Sequence, residues 1–131
     1  MLGDDIAELA RREFALADAT EAVTAAENAL ADAQERVVRS NQKVNVETAK
    51  YNEMLREGAS EEALKTQLAQ INAAEDEAVL ARQNAQAAEA GIDAAKERVS
   101  VLQDEVDWQK RFLDQLFGVQ DALTETARAE A

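Results

Sequence analysis

Apolar residues recur every seven positions along most of the chain. Leu9, Leu16, Val23, Leu30, Val37, Val44 and Tyr51 form one row, and Arg12, Ala19, Ala26, Ala33, Ser40, Glu47 and Met54 follow it three positions later. Beyond residue 60 the pattern resumes with Leu64, Ile71, Ala78, Ala85, Ile92, Val99, Val106 and Leu113, paired with Gln67, Ala74, Ala81, Ala88, Ala95, Leu102, Gln109 and Leu116. Two rows spaced in this way are the a and d positions of a heptad, the period that keeps one stripe of an α-helix against a partner helix. The pattern predicts helix 1 over about residues 5–57 and helix 2 over about residues 60–117, joined by a turn at 57–60. Gly58 suits the left-handed residue that ends a helix, and Ser60 suits the cap that starts the next.

Folding at Gly58 sets each row of one helix against the opposite row of the other. Val44 then meets Ala74, Val37 meets Ala81, Leu30 meets Ala88, Val23 meets Ala95 and Leu16 meets Leu102. Large side chains mostly face small ones, as closely approaching helices require. The expected fold class is all-α: one domain, a long antiparallel two-helix coiled-coil hairpin rich in alanine. Asp5 and Glu8 have the spacing of a capping box at the start of helix 1. Gly118 is expected to end or bend helix 2, leaving a short tail over 118–131 with Leu123 its largest apolar residue. Gly91 is expected beside the seam near Ala29, where the helices come closest.

Four polar residues interrupt the apolar rows: Arg12, Glu47, Gln67 and Gln109. A polar group at a seam position sets register, snorkels to solvent or binds something. Across the flanks, Lys43 with Glu77 is the expected ion pair, and the Arg36, Lys43, Lys50 stripe reads as a solvated face.

Composition narrows the function. The chain has 131 residues, a net charge of −13, no cysteine, no histidine and no proline. Such acidity repels phosphate backbones and anionic lipid, so nucleic acid is not an expected partner. Without histidine the commonest general base and zinc ligand are missing, and the three serines have nothing to activate them. Neither a phosphate-binding glycine loop nor a calcium-loop pattern occurs. The chain therefore reads as no enzyme, with no cofactor, no metal site and no small-molecule substrate. The acidic start and the lack of an 18-residue apolar run imply no signal peptide and no transmembrane segment, and hence a cytoplasmic or virion protein.

Alanine accounts for 29 residues, so the core is thin, and apolar residues outside the seam gain weight as contact points. Phe14, Trp108, Phe112 and Phe117 fall near the open end of the expected hairpin. Leu80 and Val101 continue the Trp108 face along helix 2, and Ala10, Ala17, Ala31 and Val38 make a second small-residue row on helix 1. Either the tail covers the aromatic end, or that end docks to another copy or a larger partner, the reading favoured here. The leading function is a structural or assembly component whose interaction residues are Phe14, Leu80, Val101, Trp108, Phe112 and Phe117. Bacteriophage virion, scaffolding and ejection-associated proteins are often small, acidic and helical in this way, a likeness of composition that carries no motif. The alternative is a binding or regulatory module such as a helical chaperone, an anti-factor or a phasin-like coat.

Overall fold

In a computed structural model, which describes the backbone of residues 2–130 and the side chains of residues 3–118, the chain forms two helices, α1 (Leu2–Arg56) and α2 (Glu61–Glu130). They make an all-α helical hairpin. The chain divides into two compact units to which both helices contribute: a hairpin unit, Thr24–Asp93, and a terminal unit, Met1–Val23 with Ala94–Ala131.

In the hairpin unit, the turn forms where the sequence places it. Gly58 has φ +75°, a left-handed conformation that an L side chain resists. Around it the Ala59 N–H donates to the Met54 carbonyl at 2.9 Å and the Gly58 N–H to the Leu55 carbonyl at 3.3 Å. These two bonds make a Schellman motif, which satisfies carbonyls left unpaired at the end of α1. On the far side the Ser60 hydroxyl accepts from the Ala63 N–H at 3.1 Å, and the Leu64 N–H closes the first helical bond onto the Ser60 carbonyl at 3.0 Å. Ser60 is thus the cap of α2, and Glu61 and Glu62 sit in its first turn, where the helix dipole favours negative charge.

The same unit follows the heptad. Its buried residues are Ile71, Ala74, Ala78, Ala81 and Ile92, all seam positions of α2. Their partners on α1, including Leu30, Val37 and Val44, are half-buried. Where the register sets Val44 against Ala74 and Val37 against Ala81, the alanine is buried and the larger side chain keeps a wet edge; at Ile92, facing Ala26, the larger side chain is the buried one. The Lys43–Glu77 pair forms across the helices at 3.1 Å, as expected. Gly91 is not a point of close approach. It is exposed, and a Cβ built there would meet nothing within 4 Å.

In the terminal unit, the seam buries Ala19, Val106, Leu113 and Gln109, with Val106 and Gln109 only 1% and 3% exposed. Full burial of an aliphatic side chain the size of valine is worth roughly 1.5–3 kcal/mol. The two segments run antiparallel, tied by a bond from Gln109 to the Asp5 carbonyl and by the Lys110–Glu13 pair at 3.4 Å.

Two expectations about the chain ends are corrected. Helix α1 starts at Leu2, so Asp5 lies within the first turn and is not a cap; Glu8 instead accepts from Arg12 at 2.8 Å. Helix α2 does not stop at Gly118 but continues through it to Glu130. A lone glycine costs a helix about 1 kcal/mol relative to alanine, which its neighbours offset when no proline or second glycine follows. A helix unbroken through Gly118 has no turn by which its last residues fold back over the aromatics, so the covering tail, the alternative to the favoured docking reading, does not form. The reading of Leu123 concerns a side chain outside those described.

Candidate interaction surface

Each heptad places side chains on two flanks of the seam. On α2, counting the Leu64 row as a, Trp108 is at c and Phe112 at g of the same flank. They are four residues apart, one turn along the helix, the spacing that brings side chains together. Their rings stack with centroids 5.6 Å apart and planes inclined by 7°. Stacking of this kind is worth about 0.5–1.5 kcal/mol beyond the area it covers. Trp108 nevertheless stays 61% exposed and Phe112 40%. Val101, one heptad before Trp108 on the same line, is 52% exposed.

Beside the stack, a shallow groove is lined by Arg12, Asp104, Glu105 and Trp108. Arg12, expected as a polar seam residue, lies at its edge with its guanidinium turned to Glu8 at 2.8 Å.

Not all the expected interaction residues share this surface. Phe117, 43% exposed, shares the heptad position of Lys110 on the other flank, the one marked by the Lys110–Glu13 pair, whereas Phe14, 73% exposed, lies on the outer face of α1 away from the seam. The aromatics of this unit therefore do not form one patch, and only Trp108 and Phe112 are stacked among the described residues. Leu80 belongs to the hairpin unit. There it projects beside Arg36 and Arg39, 57% exposed.

The remaining polar seam residues bond within the protein. In the hairpin unit, the Gln67 side-chain amide donates to the Glu47 carbonyl at 2.9 Å and to the Glu47 carboxylate at 2.7 Å. Lys50 approaches the same carboxylate at 3.5 Å. The Gln67 bond above all holds the Glu47 carboxyl below the ordinary glutamate range, against the opposing effect of desolvation and with help from Lys50 and Lys43. In the terminal unit the Gln109 amide donates to the Asp5 carbonyl at 2.9 Å, while its own Oε1 is buried without a partner.

Gln67 and Gln109 stand six heptads apart on α2, and their acceptors Glu47 and Asp5 stand six heptads apart on α1. Each unit thus carries the same amide-to-carbonyl latch. The acceptor role of Asp5 is missing from the sequence reading, because a backbone carbonyl leaves no mark on the side-chain pattern; the matching Gln67 and Gln109 positions were the available signal.

Among the described residues no group of three or more acidic, cysteine or histidine side chains converges to hold a metal ion, and no helix is long and apolar enough to cross a membrane. Comparison of the chain with protein-family models, curated proteins and solved structures gives no match.

Proposed function

We propose that the chain is a non-enzymatic assembly component, a helical hairpin that docks into a larger protein assembly or onto its own copies through Trp108 and Phe112. The observation that carries this reading is the exposed, pre-stacked pair itself. Two aromatic side chains already fixed against each other lose little conformational freedom on docking, and tryptophan is among the residues most often found at the energetic centre of protein contacts. Val101, one heptad earlier on the same line and 52% exposed, adds an apolar side chain to this flank.

Charge supports a protein partner over a polyanion, since a net charge of −13 opposes approach to phosphate-rich surfaces. A bacteriophage virion, a scaffold or an ejection-associated particle is the setting we favour, with the cytoplasm or the virion as its location. No residue in this reading is catalytic.

Absolute mass by light scattering across a dilution series, for the natural chain and for Trp108→Ala, tests the proposal. We expect the natural chain to assemble and the variant to lose tenfold or more in association, about the loss of a central contact residue, with helicity by circular dichroism unchanged. Assembly that is indifferent to the substitution removes Trp108 as the contact.

A further inference from the structure

The terminal unit is closed by weaker means than its apolar rows suggest. Gln109 is the buried polar side chain of its seam, 3% exposed, with Val106 and Leu113 on either side of it along α2. Its Nε2 donates to the Asp5 carbonyl at 2.9 Å, but its Oε1 meets no donor and lies out of reach of water. Turning the amide over would set that oxygen against the carbonyl, so neither orientation satisfies both ends. A buried acceptor without a donor is a standing cost to the closed state, because water serves it as soon as the helices part. The other polar ties across this unit are slight. Arg12, which the register sets opposite Val106, turns to Glu8 of its own helix, and the Lys110–Glu13 pair is half exposed, where such pairs add little.

Six heptads earlier, in the hairpin unit, the matching glutamine is served differently. Gln67 donates to both the carbonyl and the carboxylate of Glu47, Lys43 pairs with Glu77, and the turn at Gly58 joins the two helices covalently. We infer that the start of α1, residues 3–23, is a strap that leaves α2 while the hairpin unit stays closed, and that Gln109 is what keeps it releasable. Release bares Val106 and Leu113 on α2 and spares the Trp108–Phe112 stack, since both rings stand on that helix. The seam stripe thereby joins the stack as surface for a partner helix. Only that use rests on the docking reading above; the release itself does not.

Amide hydrogen exchange tests the release, in a Trp108→Ala background so that docking through the stack plays no part. Amides of residues 6–20 should exchange at least tenfold faster than those of residues 30–50. Gln109→Leu removes the orphaned oxygen while the Asp5 carbonyl keeps its bond within α1, so it should slow the strap about tenfold and leave residues 30–50 unchanged. Gln67→Leu should act in the opposite sense, speeding residues 30–50 about tenfold, because it strips the Glu47 carboxylate of its donor. A disulfide between Leu16→Cys and Leu102→Cys, opposite one another in the register of a chain without cysteine, separates release from fraying within α1 and should cancel the fast exchange of the strap. Equal exchange in the two segments, a strap that Gln109→Leu fails to slow, or fast exchange that survives the disulfide would each overturn the inference. So would a hairpin unit that Gln67→Leu also slows, since leucine would then stabilise any seam position.

Discussion

Gly58 and Gly91 do opposite things in one chain. Gly58 holds a φ of +75° that a side chain would strain, and Gly91 lies in open helix with nothing near its missing Cβ. Gly58→Ala should therefore lower the unfolding free energy by about 1–2 kcal/mol, the cost of forcing an L residue into the left-handed region. Gly91→Ala should raise it by about 0.5–1 kcal/mol, since alanine restricts the unfolded chain and disturbs no neighbour. Urea denaturation of the two variants beside the natural chain measures both signs; a loss at Gly91 would mean that its bare face is in contact with something.

At the scale of elements, the polar latches matter most. Glu47 titrates below its ordinary range when folded, because Gln67 donates to it and Lys50 lies close. A carboxyl whose folded value is depressed adds stability above its unfolded value, and loses that increment as the pH falls through the folded one. The hairpin unit should accordingly lose this contribution below the ordinary glutamate range. Carbon-detected titration should place the Glu47 midpoint beneath those of the exposed glutamates, and Gln67→Leu should move it upward. A midpoint that ignores Gln67 would show that the latch does not form in solution.

The helices, the turn and the register were legible because the apolar rows say which stripe of each helix turns inward. Every seam residue from Leu9 to Leu116 is wholly or partly buried. Gly118 misled, because glycine ends a helix only when its neighbours supply the capping bonds that Met54, Leu55 and Ala59 supply around Gly58. The arrangement of the exposed aromatics was legible in part. The four-residue spacing of Trp108 and Phe112 foretells their stack, but nearness in sequence to the open end hid the fact that Phe117 takes the other flank and Phe14 the outer face of α1. Heptad position, and not distance from a terminus, decides that division.

For the molecule as a whole, the antiparallel fold predicts where distant parts of the sequence meet. Spin labels at Ala33 and Ala85, both in the hairpin unit, should report a separation within about 8–10 Å between helix axes plus the reach of the labels. A continuous helix between them would instead give several tens of Å at 1.5 Å per residue, an outcome that would sink the fold.

The turn at Gly58 also governs the order of events as the chain folds. Its bonds join residues three to five apart, the Gln67–Glu47 latch closes a loop of 20 and the Lys43–Glu77 pair one of 34, while Gln109 and Asp5 are separated by 104. Loop-closure entropy rises with each of these separations, so pairing that starts at the turn and zips outward meets the least resistance at every step. A hairpin closed at Gly58 is the nucleus such a topology favours, which places strain at that glycine on the rate of folding more than on the rate of unfolding.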